Sequence, residues 1–168
     1  MSAPRVIVLM GVAGTGKTTV GALLAMRLGW RFHDADDFHP PGNIEKMAGG
    51  IPLDDGDRKP WLARLRREVI DSALSGDPVV LACSALKASY RKALGIGEPG
   101  IVAVFLKCDP ATLSARLEVR AAHYMRPEML TSQFEALEVP SPTEAFHIPA
   151  TLPPEDIVNR IVAATLLP

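Results

Sequence analysis

Uninterrupted apolar runs alternate along this chain with stretches whose apolar positions recur every three or four residues. Three runs have strand length, at residues 5–10, 78–83 and 101–106. Continuous runs of this kind suit parallel strands covered on both faces. Weaker strand signals lie at 30–34, which ends in acid, and at 145–148. Between them, Val20, Leu23, Leu24 and Leu28 recur with helical spacing over 18–28. Trp61, Leu62, Leu65, Val69 and Ile70 form the apolar face of a longer helix, capped by Asp57 and running to about Leu74. Helices are also predicted over 43–47, over 109–120, from near Pro127, and over 154–166. Phe105, Leu117, Phe134 and Ile161 read as core. The alternation predicts a single α/β domain: a doubly wound, mostly parallel sheet of about five strands with helices on both faces. A length of 168 residues suits one such domain.

The junction of the first strand and first helix carries the chemistry. Gly11-Val12-Ala13-Gly14-Thr15-Gly16-Lys17-Thr18 fits the pattern G-x-x-x-x-G-K-[ST] at every fixed position. In a strand–loop–helix setting, backbone N–H groups along this loop and the helix start face phosphate oxygens. Gly11, Ala13, Gly14, Thr15, Gly16 and Thr19 belong to the predicted nucleotide cradle. Lys17 can reach the β- and γ-phosphates, and the Thr18 hydroxyl can sit on Mg²⁺. The chain is therefore expected to bind ATP with Mg²⁺.

Binding modules, switches, motors and kinases all use this loop, so other polar residues must decide among them. The run from His33 to His39 holds Asp34, Asp36 and Asp37 at the end of the second strand, the sheet edge where ligands of open parallel sheets bind. Clustered carboxylates there are costly unless a cation or substrate hydroxyls occupy them. Strand alternation would point Asp34 and Asp36 one way and Asp37 the other. Asp34 is a candidate to hold a Mg²⁺-bound water, and Asp36 to take the proton of an attacking hydroxyl. The third strand ends in Cys83-Ser84-Ala85-Leu86-Lys87, without the acid that many nucleotide hydrolases carry there. That leaves metal positioning to Asp34 and frees a small-residue turn to approach a ligand through backbone N–H and the Ser84 hydroxyl.

Composition narrows the setting. With 18 basic and 19 acidic residues the net charge is −1, so no general field favours nucleic acid or an anionic membrane. No apolar stretch reaches membrane-spanning length, and the two cysteines, Cys83 and Cys108, read as reduced, buried thiols. A cytoplasmic location is the expectation.

The segments from Leu9 to Thr18, His39 to Met47, Ile51 to Leu62 and Ala82 to Lys87, with Tyr90-Arg91, His123-Tyr-Met and Met129 to Glu138, resemble the gluconate kinases. These are P-loop small-molecule kinases related to shikimate kinases. Asn43-Ile-Glu-Lys-Met47 and Asp57-Arg-Lys-Pro-Trp-Leu62 are the most specific matches. The resemblance implies ATP-dependent phosphorylation of the terminal 6-hydroxyl of D-gluconate, with Lys17, Asp36 and Arg120 as catalytic groups. It also implies a homodimer, and the apolar face of the long helix could serve either core or interface. A polyol acid needs polar partners and a cation for its carboxylate. Arg58, Lys87 and Arg91 are the candidate cations, with His39, Asn43 and Lys46 as further polar contacts. Resemblance also places a helical lid at about 116–138. There Arg116 and Arg120, four apart, and Arg126 could meet ATP phosphates, with His123 in the lid or touching substrate.

Three departures accompany the match. Ala122 stands where relatives have Gly. The stretch from His147 to Pro154, which should frame the adenine, lacks a common Asp and includes Pro149. Asp37 and Phe38 replace an apolar pair. A kinase of shikimate or of a nucleoside monophosphate, and a non-catalytic nucleotide switch, are the alternatives; substrate panels separate the first, nucleotide-dependent partner binding the second.

Overall fold

In a computed structural model, residues 3–119 and 127–166 are described. Their elements alternate in chain order. Strand β1 (Val6–Met10) leads to helix α1 (Lys17–Leu28) and strand β2 (Arg31–Asp34). A 3₁₀ turn (Ala35–Phe38) and helix α2 (Pro41–Ala48) precede helix α3 (Asp55–Leu65). That helix runs on through a π-helical stretch (Arg66–Asp71) into α4 (Ser72–Ser75). Then come β3 (Val79–Ala82), α5 (Ala88–Leu94), β4 (Ile101–Lys107), α6 (Pro110–Val119), α7 (Pro127–Ala136), β5 (Phe146–Pro149) and α8 (Pro154–Thr165).

The five strands lie in the order β2-β3-β1-β4-β5, each neighbouring pair parallel. β1 occupies the middle, and its side chains alternate between two cores. Val6, Val8 and Met10 pack with Trp61, Leu65, Val69, Ile70 and Leu94 on one face. Ile7 and Leu9 pack with Val20, Leu24, Ile157 and Ile161 on the other. Burial of each such aliphatic side chain stabilises the fold by roughly 1.5–3 kcal/mol. A third, smaller cluster of Val12, Leu86, Leu113 and Leu130 lies beneath the glycine loop, with Leu117 and Phe134 partly buried against it.

The doubly wound parallel sheet is as expected; two local expectations change and one open alternative is decided. The long helix is capped by Asp54, not Asp57. Asp54 accepts the Asp57 N–H at 2.7 Å while Asp57 accepts the Asp54 N–H at 3.1 Å, a reciprocal capping box. Its apolar face is wholly inside: Trp61, Leu62, Leu65, Val69 and Ile70 are buried in this chain's own core, so they are not an interface with a second copy. Finally, the backbone turns into a 3₁₀ helix directly after Asp34, so strand alternation does not govern Asp36 and Asp37. Among the described residues no helix is long and apolar enough to cross a membrane. Both cysteines are free, Cys83 buried and Cys108 partly exposed.

Candidate active site

From β1 the chain passes to β2 and β3 on one side of it, and from β3 it crosses to β4 on the other, which opens a crevice at the carboxyl ends of the central strands. The glycine loop fills the floor of that crevice. Gly11 sits at φ +140°, and a Cβ there would lie 2.8 Å from the Leu106 carbonyl oxygen, so the loop's tight exit from the sheet requires glycine. Gly11 N–H donates to Ser84 O at 3.2 Å, which ties the loop to the turn after β3. Gly16, at φ +97°, opens α1. Thr15 is buried and its hydroxyl donates to Val12 O at 3.0 Å. Thr19 is exposed at the helix start.

Lys17 folds back over this loop, its Nζ donating to Gly11 O and Val12 O at 2.9 Å each. Burial pushes its ammonium down to about 8, while Cys83, Asp36 and Asp34 nearby act in the opposite direction. Burial likewise pushes the Cys83 thiol up to about 12, so it is a neutral wall of the site. The Thr18 hydroxyl donates to Asp34 Oδ2 at 3.0 Å, although β2 is the outer strand and β3 lies between it and β1. Asp34 Oδ1 accepts the Asp36 N–H at 3.0 Å and so caps the 3₁₀ turn as well. The two oxygens of Asp34 thus serve two donors, the Thr18 hydroxyl and the Asp36 N–H. Asp36 stands exposed above the loop. Partial loss of hydration, then the charge of Asp34, holds its carboxyl above the usual carboxylate range. Asp37 is exposed on the same turn.

Across the crevice, α2, α3 and α5 assemble a second polar group. His39 and Asn43, expected as substrate contacts, are both buried. His39 stacks on Trp61 with ring centres 4.3 Å apart, and Asn43 Nδ2 lies 3.2 Å from His39 Nδ1 and donates to Asp57 O at 2.9 Å. Lys46 pairs with Asp57 at 2.8 Å, and Lys87 with Asp55 at 3.0 Å. Tyr90 donates to Asp55, and Arg58 Nη1 donates to the Tyr90 hydroxyl at 3.0 Å. Lys87 immediately precedes α5, at its N-cap position. Arg91 is buried: Nε bonds Glu144 at 2.7 Å, and Nη1 donates to the Ala85 and Leu86 carbonyls at 3.0 and 3.2 Å. It therefore braces the 83–87 turn, where Ala85 adopts φ +46°, a conformation a residue with a Cβ rarely takes. Ser84 stays partly exposed on that turn.

The lid expectations divide. Arg120, His123 and Arg126, with Ala122, lie outside the described residues. Arg116 points to the segment after β5, donating to Ala150 O at 2.7 Å. Pro149 closes β5, where the next residue's Ala150 N–H, not its own, pairs with Lys107 O at 2.8 Å.

Several residues that organise the site drew no role in it from the sequence, Asp57 having been read only as a helix cap. Asp55 neutralises Lys87, an expected substrate cation, and Asp57 neutralises Lys46, an expected polar contact; their position opposite lysines becomes visible only when α2, α3 and α5 converge. Gln133, on α7, accepts the Ala13 N–H at 2.7 Å. Glu138 accepts the Ala88 N–H at 3.1 Å and donates its own N–H to Leu86 O at 2.8 Å. Both belong to the 129–138 run that carried the resemblance, the one signal that could have singled them out. They pin the stretch from α7 to Glu138, the later part of the expected lid, to the glycine loop and to the 83–88 turn. Gln133 holds an N–H that the sequence assigns to phosphate, so Gln133→Leu, which removes the competing acceptor, is expected to lower KM for ATP by about 3- to 10-fold, the worth of one hydrogen bond. Initial rates across an ATP series check this, and an unchanged KM would show the contact to be idle.

Relatives share this architecture. A shikimate kinase family model matches residues 13–163. A probable gluconokinase of Mus musculus is 47% identical over 163 residues, covering 87% of this chain and 89% of its own. The gluconokinase of Gluconobacter oxydans is 47% identical over 141 residues, covering 84% and 79%. A gluconokinase structure from Sinorhizobium meliloti superposes with a TM-score of 0.85 at 40% identity, covering 98% of this chain and 93% of that one. Shikimate kinase from Aquifex aeolicus, at 19% identity and a TM-score of 0.55, shares the fold. A phosphate loop on the central strand and similarity along nearly the whole chain lead to one conclusion: this protein belongs to the gluconokinase family of shikimate kinase-like phosphotransferases.

Proposed function

We propose that the protein transfers the γ-phosphoryl group of ATP to the 6-hydroxyl of D-gluconate, giving 6-phosphogluconate and ADP. One observation carries the placement of the acceptor. Of the described cations facing the crevice, Lys46 and Lys87 are each paired with a carboxylate, whereas Arg58 is bonded to the neutral Tyr90 hydroxyl. A guanidinium with no carboxylate bonded directly to it, Asp55 standing beyond the Tyr90 hydroxyl, is the natural receiver of the substrate carboxylate. Asn43 bonds the carbonyl of Asp57, next to Arg58, and also contacts His39, which faces Asp36. One buried linkage thus sets the spacing between the group for the acid end of the sugar and the group for its terminal hydroxyl.

Phosphoryl transfer asks mainly for alignment and charge neutralisation. Lys17 exchanges its bonds to Gly11 O and Val12 O for the phosphates, and Asp36 takes the hydroxyl proton. Thr18 and Asp34 offer two hard oxygens 3.0 Å apart, a donor set that suits Mg²⁺, which keeps most of its remaining ligands as water and phosphate oxygen. Bound there, the ion would neutralise phosphate charge. The same reading includes Arg120 and Arg116 as lid cations, and the cytoplasmic homodimer that the resemblance implies. Exposed Ile44, Met47 and Ile51 offer apolar surface for a second copy.

Coupled ADP release with Mg²⁺-ATP tests the reading on D-gluconate, shikimate, glycerate and nucleoside monophosphates. Turnover on gluconate is expected, and Arg58→Met should raise KM for gluconate by about 10- to 100-fold, the worth of a charge-assisted hydrogen bond, with KM for ATP unchanged. Preference for another acceptor, or none used despite tight ATP binding, would overturn it.

A further inference from the structure

We infer that His39 is a positioning residue: Asn43 holds it as the neutral Nε2–H tautomer, and that proton orients the Asp36 carboxylate for the acceptor hydroxyl. The inference rests on the reading of Asp36 as the group that receives the hydroxyl proton.

The hydrogen-bond directions follow from one backbone carbonyl. Asp57 O can only accept, so the nitrogen of the Asn43 carboxamide must be the atom 2.9 Å from it. The other proton on that nitrogen then faces His39 Nδ1 at 3.2 Å. A ring nitrogen that accepts a proton carries none of its own, so the neutral ring bears its proton on Nε2. Protonating Nδ1 as well would set two donors against each other in a buried place, and burial already holds the His39 pKa below its ordinary value.

The Nε2 proton has one acidic neighbour in view. Asp36 Oδ1 lies 3.8 Å from Nε2, and the Asp36 side chain is 84% exposed, free to turn toward it. Contacts of this kind are often long in open sites and tighten when substrate is bound. The two partners are also fixed to a common support. His39 stacks on the Trp61 indole, with an interplanar angle of 15°, while Trp61 Nε1 donates to Ala35 O at 2.7 Å, one residue before Asp36. With His39 only 6% exposed and both ring nitrogens facing protein groups, direct substrate binding is a poor use of this ring. Holding Oδ1 leaves Oδ2 for the hydroxyl. In the transfer, the acceptor oxygen bonds to the γ-phosphorus, the bond to the bridging oxygen breaks and its electron pair leaves with ADP. The hydroxyl proton goes to Asp36, and His39 keeps its own.

Nitrogen NMR of the intact protein with labelled histidine reads the tautomer without reference to activity. The Nε2–H form is expected from about pH 6 to 8, with the preference lost in Asn43→Leu. His39→Phe keeps a ring for Trp61 and removes the donor; kcat should fall about 3- to 10-fold with both KM values nearly unchanged. His39→Gln, whose amide can donate from near the Nε2 position, should recover most of the rate. An Nδ1–H ring or an imidazolium at neutral pH overturns the inference, as does a His39→Phe enzyme with the native kcat. Asp36→Asn separates the two levels. If it is inactive while His39→Phe is unimpaired, only the inference fails; if Asp36→Asn is fully active, the reading of Asp36 fails and takes the inference with it. Should His39→Phe not fold, the tautomer and the His39→Gln rate still decide.

Discussion

Asp36→Asn should lower kcat for gluconate phosphorylation by about 10²- to 10⁴-fold, the usual worth of a positioned general base, while ATP binding stays within about twofold. The substitution keeps the shape of the side chain and removes its capacity to take a proton. Because Asp36 is exposed and makes no side-chain hydrogen bond among the described residues, the fold loses little. Stability should even rise slightly. The folded state holds this carboxyl above its ordinary range, through lost hydration and the neighbouring Asp34, so ionising it in the folded protein is unfavourable and a neutral amide removes that burden. Thermal melting at neutral pH beside the coupled assay checks both halves. A variant that turns over gluconate at nearly the native rate would remove Asp36 from the chemistry and leave the hydroxyl to be aligned by the phosphate site alone.

Lys17→Met is expected to cost about 10²- to 10³-fold in kcat, comparable to deleting a preorganised donor that stabilises transition-state charge. Methionine keeps most of the aliphatic stem and removes the ammonium. That ammonium is desolvated and satisfied by two loop carbonyls, Gly11 O and Val12 O. Its charge is thus held ready in a poorly hydrated place, where attraction to a phosphate is stronger than in bulk water. Weaker ADP and ATP binding by calorimetry should accompany the lost rate. Lys17→Arg is not a rescue, because the planar fork does not fit a space shaped for a single compact nitrogen between those carbonyls. A Lys17→Met enzyme within tenfold of native would show that the loop amides neutralise the phosphates unaided.

Much of this was open to a reader of the sequence. Continuous apolar runs mark β1, β3 and β4 because a parallel strand covered on both faces has no solvent side to declare. The glycine loop is legible because its conformation demands particular residues in sequence neighbours: glycine where φ is +140° at Gly11 and +97° at Gly16, then Lys17 and Thr18 at the helix start. Asp34 and Asp36 stand out for a similar local reason, three acids at a strand end. Boundaries were less secure where two residues compete for one task. Asp54 and Asp57 can each cap a helix, and the choice fell to Asp54 because the reciprocal box satisfies two N–H groups instead of one.

The partners of the cations were decided by the fold alone. The sequence offered Arg58, Lys87 and Arg91 as cations for a substrate carboxylate, and Lys46 as a further polar contact, without saying which would be free to act. Packing α2, α3 and α5 against one face of the sheet gives Lys46 to Asp57, Lys87 to Asp55 and Arg91 to Glu144, and leaves Arg58 with a tyrosine hydroxyl. Likewise, the reach of Thr18 to Asp34 across an intervening strand and the bond from Gln133 to Ala13, 120 residues apart, have no local signature. Residue type and nearest neighbours determine which element forms and which group can bind phosphate, since those depend on the chain's own dihedrals and donors. Which charge remains uncompensated depends on distances between segments far apart in sequence, and those exist only once the sheet and its helices have packed.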